Sequence, residues 1–205
     1  MYVGRIVTVG KTDQPFAAYR VSSRSFPNRQ AVETSKGIAI VPRPGHENDV
    51  FKNPYIAYNC LRVVKGTVVV TNGSHTDPIA EKIDSGMSPR DALALTLLTM
   101  DYEKDDYNTP RIAGVIQQET GYLALVRHDG IEVQSFPLVA GKCRVVATYE
   151  LDHLTDREYD IDAPDAEACA RFVVEGGFFG ELEHPVCSAA LHSREGHTAT
   201  YNLGM

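Results

Sequence analysis

Short β-type segments joined by tight turns dominate this chain, and helical segments interrupt them at only two places. Nine segments have the apolar spacing of strands: 1–9, 16–22, 38–41, 55–64, 67–71, 112–116, 122–127, 131–136 and 144–149. Lys65-Gly66 and Asp129-Gly130 are typical hairpin turns, so neighbouring strands are expected to be antiparallel. With helices between and after the strands, this order predicts an α+β layered sandwich with helices packed outside antiparallel sheets.

Two helices are expected in the middle of the chain and one near its end. The first begins at Thr76 or Asp77 and ends near Gly86, and the second begins at the capping residue Ser88 and continues to Met100. The second, DALALTLLTM, is apolar on nearly every side, so we expect other elements to cover more than one of its faces. A third helix is expected over 164–175.

The composition is that of a globular enzyme. The chain has 205 residues, of which 43% are hydrophobic and 23% charged, and it contains no repeat or linker, so we expect a single domain over 1–205. No run of eighteen apolar residues suggests a membrane span, and the first ten residues lack the apolar region of a signal peptide. The four widely spaced cysteines are then expected to be buried thiols in a cytoplasmic protein.

Charge is distributed unevenly along the chain. Residues 1–76 carry ten Lys or Arg and four Asp or Glu, a net of +6, whereas residues 77–205 carry ten and twenty-three, a net of -13. The acidic body argues against nucleic-acid binding, because it repels long polyanions. The basic N-terminal part can still attract a small anion, which favours a phosphorylated metabolite as the ligand.

The densest basic stretch is YRVSSRSFPNR, from Tyr19 to Arg29. If it continues a strand, Arg20, Ser22 and Arg24 lie on one face, and the turn that follows presents Arg29. Arginine forks and serine hydroxyl groups are typical phosphate ligands, so Arg20, Ser22, Ser23 and Arg24 are candidate phosphate contacts. The alternative is a solvated strand face that carries arginines.

Two further polar clusters lie in NPYIAYNCLRVV (53–64) and TNGSHTD (71–77). Tyr58 can donate a proton, and Asn59 can hydrogen-bond an amide or a ring nitrogen, unless this segment is only a half-buried strand. Asn72 and Ser74 lie where a strand leads into a helix, which is a suitable geometry for binding an anion but also that of an ordinary capped turn.

A fourth cluster, MDYEKDDYNTPR (100–111), follows the apolar helix. If Glu103 faces the basic region, it can act as a general base or orient a substrate amide, and Asn108 adds a polar contact. The alternative is a solvated charged loop. His184, Cys187, His192 and His197 match no standard zinc spacing, so we expect no metal site.

Four segments in this order resemble the archaeal-type IMP cyclohydrolase family: YRVSSRSFPNR, NPYIAYNC, NGSHTD and MDYEKDDYNTPRIA. The resemblance extends from Met1 to GGFFGELEHP (176–185) and is weakest over the last twenty residues. It implies a four-layer αββα sandwich similar to the N-terminal-nucleophile hydrolase fold. This chain begins Met1-Tyr2, without the Thr, Ser or Cys that such hydrolases expose, so the scaffold is expected without its amide-hydrolysing nucleophile.

The resemblance also implies a reaction and its site. The family closes 5-formamidoimidazole-4-carboxamide ribotide (FAICAR) to inosine monophosphate (IMP), the last ring closure of purine synthesis, without a metal or redox cofactor. On this basis Tyr58 is expected to donate to the formyl oxygen and Glu103 to accept from or orient the carboxamide. Arg29 either joins the phosphate contacts or supports the developing oxyanion. A separate enzyme is expected to supply the formyl group, and the protein is expected to form a homo-oligomer.

Two other functions remain possible from the sequence. One is an amidohydrolase on the same scaffold, and the other is a non-catalytic module that binds purine monophosphates. Release of ammonia or acid from simple amides would indicate the first, and tight IMP binding without turnover would indicate the second.

Overall fold

The structure, a computed structural model, describes residues 1–193 and 196–204. The strands are β1 (Arg5–Lys11), β2 (Pro15–Ser22), β3 (Arg29–Thr34), β4 (Gly37–Pro42), β5 (Tyr58–Val64), β6 (Thr67–Thr71), β7 (Arg111–Gln117), β8 (Thr120–Arg127), β9 (Gly130–Pro137), β10 (Lys142–Ala147), β11 (Tyr159–Asp160), β12 (Pro185–His192) and β13 (His197–Asn202). The helices are α1 (Asp49–Lys52), α2 (Thr76–Asp84), α3 (Pro89–Met100), α4 (Ala166–Glu175) and α5 (Gly177–Gly180), with a 3-10 turn at Pro54–Ile56.

The strands form two antiparallel sheets. Sheet A has the order β11-β10-β1-β2-β12-β13, and sheet B has the order β3-β4-β5-β6-β7-β8-β9. Sheet B is built mainly from consecutive hairpins, such as β5–β6, whose turn residues Lys65 and Gly66 both have positive φ. Sheet A combines strands from both ends of the chain, because β1 pairs with β10 and β2 pairs with β12. The expected α+β fold with antiparallel sheets is confirmed.

Strand β2 shows how the layers are connected. Ala17, Tyr19 and Val21 belong to the core between the two sheets, whereas Phe16 and Ala18 pack in a second core beneath α4. Both faces of β2 are therefore buried, as expected for a central strand covered on two sides. A third core, around Leu93, joins α2 and α3 to the outer face of sheet B.

Most expected helices and strands are confirmed. The helices α3 and α4 each begin after a capping residue. The Ser88 side chain accepts a hydrogen bond from the Asp91 amide at the start of α3, and Asp165 caps α4 in the same way through the Ala168 amide. The hairpin at Asp129-Gly130 also forms. Within the described ranges, no helix is both long enough and apolar enough to cross a bilayer.

Several element predictions were wrong. Helix α3 is covered on one face only, since Leu95 and Leu98 are 46% and 69% exposed. The segment 55–57 is a turn and not a strand, because Pro54 opens a 3-10 helix there and Asn53 caps it. The sequence patterns also missed six short or weakly patterned elements: β3, β11, β12, β13, α1 and α5.

Candidate active site

A cleft of about 160 Å³ lies at one end of the two sheets. In sheet A, β1 begins and β2 and β10 end there, and in sheet B, β3, β5 and β7 begin there. Because the loops at these strand ends meet, the cleft is lined by residues that are far apart in sequence: Tyr2, Arg5, Ser23, Arg24, Ser25, Phe26, Arg29, Asn53, Tyr55, Ile56, Glu103, Asp105, Tyr107 and Tyr149.

Glu103 is the buried acid of this cleft, with only 1% of its surface exposed. Its Oε2 lies 3.4 Å from Arg5 Nη2, and its Oε1 lies 3.8 Å from Arg111 Nη1. Among the described residues, Oε1 has no hydrogen-bond partner. Burial raises the pKa of Glu103 to about 7, and the charges of Arg5 and Arg111 only partly oppose that effect. A carboxyl group with this pKa can both accept and return a proton near neutral pH.

The loop that carries Glu103 is fixed by its own hydrogen bonds. The Glu103 amide donates to the Thr109 carbonyl at 2.9 Å, and the Asp105 carboxylate accepts from the Thr109 amide at 2.8 Å and from the Thr109 hydroxyl at 2.7 Å. The Thr109 hydroxyl also lies 2.9 Å from the Tyr149 hydroxyl. The loop after α3 is therefore ordered around a buried carboxyl group and is not simply a solvated charged segment.

Tyr58 is the first residue of β5 and is buried, with 8% of its surface exposed. Its hydroxyl lies 2.6 Å from that of Tyr19. Burial raises the pKa of Tyr58 to about 12, although Arg29 and Arg5 are close enough to lower it. Tyr58 thus remains protonated at neutral pH, next to two arginines that line the cleft. Its hydroxyl can donate to a ligand when Tyr19 is the donor in the bond between the two tyrosines.

Five residues of the basic stretch line the cleft: Ser23, Arg24, Ser25, Phe26 and Arg29. Arg29 is buried, and its Nε donates to the Phe26 carbonyl at 3.1 Å, which holds the guanidinium against the loop between β2 and β3. Arg24 is at the exposed rim, where it stacks on Tyr2 at 4.2 Å and pairs with Glu183 at 3.0 Å.

Arg20 and Ser22 point away from the cleft, towards α4. The Arg20 guanidinium donates to the carbonyls of Phe179 at 2.6 Å and Leu182 at 2.8 Å, and its Nε donates to the Ser22 hydroxyl at 2.9 Å. Both side chains are fully buried. The expected common face of Arg20 and Ser22 exists, but that face is turned towards the helix layer because Tyr19, one residue earlier, occupies the inter-sheet core.

Four other predicted contacts, Asn59, Asn72, Ser74 and Asn108, lie outside the lining of the cleft. Asn59 donates to both carboxylate oxygens of Asp77, at 3.1 and 3.0 Å. Asn72 is buried against the backbone around residue 111. Ser74 and Asn108 are exposed. Of the predicted site residues, the cleft brings together Ser23, Arg24, Arg29 and Glu103, with Tyr58 electrostatically coupled to two of its arginines.

Arg5, Tyr2 and Tyr149 are among the cleft residues that the sequence interpretation missed. Arg5 is the one charged residue in the apolar segment MYVGRIVTVG. A single charge in such a segment could have indicated a buried functional cation. Tyr149 follows β10 and enters the site only because β10 pairs with β1. No sequence pattern indicates that pairing.

In the described part of the chain, no three His, Cys, Asp or Glu side chains are grouped closely enough to hold a metal ion together. The polar groups that converge on the cleft are instead guanidinium, hydroxyl and carboxyl groups. They suit an anionic ligand that carries amide or carbonyl groups.

Comparisons with known proteins agree over almost the whole chain. A family model described as IMP cyclohydrolase-like protein matches residues 2–197. A Methanosphaera stadtmanae protein named IMP cyclohydrolase is 51% identical over 197 residues, which cover 95% of this chain and 96% of the relative. Proteins of the same name from Methanocella arvoryzae and Methanocaldococcus jannaschii are 49% and 46% identical, over 100% and 96% of this chain and 98% and 96% of their own lengths. By family model and by near full-length identity, the chain belongs to the IMP cyclohydrolase-like family.

Proposed function

We propose that this protein is an IMP cyclohydrolase, which closes FAICAR to IMP with loss of water. Relatives that carry this name are 44–51% identical to the chain over nearly its full length. The observation in the structure that best supports the reaction is the Glu103 carboxyl group, which is buried in the cleft between two arginines, without a hydrogen bond to Oε1 from any described residue.

Ring closure needs two proton transfers. The carboxamide nitrogen of the substrate attacks its formyl carbon, loses one proton, and the formyl oxygen becomes a hydroxyl group. The C–O bond then breaks, the formamido nitrogen loses its proton, and water leaves as the C=N bond of the purine forms. Because both reacting groups belong to one molecule, holding the formyl group near the carboxamide provides much of the acceleration. The protein adds an oxyanion donor and a base.

We assign these roles to Tyr58 and Glu103. The protonated Tyr58 hydroxyl donates to the formyl oxygen, supported by its hydrogen bond with Tyr19. Glu103 accepts the carboxamide proton through its unbonded Oε1, for which a pKa of about 7 is well matched. Arg29 is close enough to influence Tyr58 and is held within the cleft, so we place it beside the developing oxyanion.

The phosphate group is proposed to bind at the rim formed by Ser23, Arg24 and Ser25. These residues follow β2 in a loop that lines the cleft, and Arg24 is exposed there. An exposed guanidinium with neighbouring hydroxyl groups suits a dianion that keeps part of its hydration. Arg20 and Ser22 are omitted from this site because their polar groups are bonded to each other and to carbonyls near α4 and α5.

Four further features belong to the proposal. Residues 1–205 act as one domain, and the two antiparallel sheets with helices on their outer faces support the likeness to the four-layer N-terminal-nucleophile hydrolase scaffold. The formyl group comes from a separate transferase. A cytoplasmic location follows from a charged substrate that does not cross a bilayer unaided. The protein forms a homo-oligomer, which light scattering of the purified chain tests directly.

The test is a spectrophotometric assay with FAICAR, which follows the absorbance of IMP without added metal. We expect turnover by the wild type and a loss of kcat of about 10²-fold or more in Glu103→Gln, because the base is removed while the shape is kept. Glu81→Gln, at an exposed position on α2, is the matched control and should retain full activity. IMP binding without turnover would contradict the proposed reaction and indicate a non-catalytic binding protein.

A further inference from the structure

The NGSH segment, Asn72–His75, binds the backbone on both sides of Arg111. Asn72 Nδ2 donates to the Pro110 carbonyl at 2.9 Å, and its Oδ1 accepts from the Ile112 amide at 2.8 Å. His75 Nε2 lies 3.0 Å from the Ile112 carbonyl. Both side chains are buried, so these contacts fix the first residues of β7 from the neighbouring end of β6.

The Arg111 side chain extends from this fixed backbone into the active site, where it contacts the loop that bears Glu103. Its Nε donates to the Asp101 carbonyl at 2.8 Å, at the start of the loop that bears Glu103. Its Nη1 lies 3.8 Å from Glu103 Oε1, and the guanidinium lies 5.6 Å from the Tyr55 ring centre. Only 5% of Arg111 is exposed, and Nη1 has no hydrogen-bond partner within residues 1–193 and 196–204.

Gly73 is closely packed against the same groups. A Cβ atom at this position would lie 3.0 Å from Arg111 Nη1 and 3.2 Å from His75 Nδ1, so a larger residue here would press on the guanidinium and the imidazole. His75 itself adds no positive charge, because burial, with a smaller effect of Arg111, lowers its pKa to about 3. The cation beside Glu103 Oε1 at this end of the cleft is therefore the Arg111 guanidinium.

The charges that face Glu103 come from four parts of the fold. Arg5 approaches from β1, Arg111 from β7 and Arg29 from the start of β3, and Asp105 lies in the same loop as Glu103. Arg5 and Arg111 are the two that form ion pairs with the carboxyl group, one with each of its oxygens. Arg111 is the partner of Oε1, which is the oxygen left without a hydrogen bond by the described residues.

We propose that Arg111, held by the NGSH segment, is a positioning residue that favours the ionised form of Glu103 and directs its Oε1 for proton transfer. This inference deepens the proposed ring-closing function and rests on it. It also gives the NGSH segment a role at the active site without direct contact with the nucleotide.

The experiment follows the titration of Glu103 in the free protein by ¹³C NMR of labelled carboxyl groups, assigned with Glu103→Gln. The pH dependence of kcat/KM is measured on the same variants. In Arg111→Met we expect the Glu103 midpoint and the acidic limb of kcat/KM to move together to higher pH, by about one unit or more, because a cation near the carboxylate is lost. In Arg111→Lys, which keeps the charge, the Glu103 midpoint should lie close to that of the wild type.

Arg62→Met is the matched control, since Arg62 is a poorly exposed arginine whose Nη1 pairs with Asp77 at 2.9 Å on the other side of sheet B. It should leave both midpoints unchanged. An unchanged Glu103 midpoint in Arg111→Met would overturn the proposal. A shifted Glu103 midpoint in Arg111→Met, together with no turnover of FAICAR by the wild type, would support the coupling and contradict the ring-closing function, so the two failures are distinguishable.

Asn72→Ala keeps the inference testable if Arg111→Met does not fold. This variant retains the arginine but loses the two hydrogen bonds that the Asn72 side chain makes to Pro110 and Ile112, on either side of Arg111. We expect a smaller shift of the Glu103 midpoint in the same direction, with a larger effect on kcat than on KM. A Glu103 midpoint identical to that of the wild type would contradict the role of the NGSH segment.

Discussion

At the scale of single residues, Glu103 shows how burial and charge compete. Removing a carboxyl group from water disfavours its ionised form, whereas two arginines within 4 Å favour it. Burial has the larger effect here, so the pKa rises to about 7 and does not fall. The group is therefore close to half-ionised at neutral pH, which is the state that a reversible proton acceptor needs.

This pKa predicts how stability depends on pH. Because the folded-state pKa of Glu103 lies above the ordinary value of 4.5, the folded protein holds this proton more tightly than the unfolded chain does. The stabilisation is complete below pH 4.5 and is lost as the pH rises through 7. Relative to Glu103→Gln, the wild type should thus lose up to about 3 kcal/mol of unfolding free energy between these limits, measured by urea denaturation. A stability difference that stays constant with pH would contradict the shifted pKa.

At the scale of elements, adjacent residues of β2 face opposite sides of sheet A and therefore have different roles. Tyr19 faces the inter-sheet core and bonds to Tyr58, whereas Arg20 faces α4 and binds the carbonyls that follow it. Arg20 also lies 3.3 Å from the Val173 and Val174 carbonyls near the C-terminal end of α4. A cation there stabilises both the unpaired carbonyls and the negative end of the helix dipole.

Replacing Arg20 should therefore affect stability and not substrate binding. We expect Arg20→Met to lower the unfolding free energy by about 2–4 kcal/mol, because several buried carbonyls lose their donors. The KM for FAICAR should be unchanged in the folded fraction. Ser22→Ala, which removes one bond to the same guanidinium, should cost about 1 kcal/mol. A large rise in KM with wild-type stability would instead return Arg20 to the phosphate site.

At the scale of the whole molecule, the two sheets are also joined at their outer strands. Asn202 on β13 of sheet A accepts a hydrogen bond from the Ala31 amide at 2.8 Å and donates to the Ala31 carbonyl at 3.0 Å on β3 of sheet B. The Asn202 side chain pairs with both the amide and the carbonyl of Ala31 and so occupies part of the edge of β3. Strand β13 thereby connects the C-terminal segment to β3, the strand that begins with Arg29.

Asn202→Ala should weaken this connection. We expect a loss of about 1–3 kcal/mol in unfolding free energy, because the Ala31 amide and carbonyl lose their partner. Hydrogen exchange at Ala31 should become faster than at residues in the centre of sheet B. Thr200→Ala, on the same strand, serves as the control for nonspecific effects at β13. Unchanged exchange at Ala31 would show that the side-chain bridge does not protect this edge.

Local signals were sufficient for much of the secondary structure. The serine cap at 88, the aspartate-glycine turn at 129–130 and the helical period before Met100 all act over a few residues, so they can be read directly from the sequence. Strand β12, PVCSAALH, lacked such a signal, because its small residues form a strand only through pairing with β2 and β13. Residue type and order also indicated Glu103, Arg29 and Tyr58 as candidates through the family resemblance.

The tertiary structure alone decided which candidates meet. Period-two spacing placed Arg20 and Ser22 on one face of β2, but only the packing of α4 against sheet A determined that this face is turned away from the cleft. Arg5 and Glu103 are 98 positions apart, and they come together because β1 begins at the same end of the sandwich as the loop after α3. Sequence spacing determines the face of an element, whereas the packing partners of each face depend on long-range contacts that no local pattern encodes.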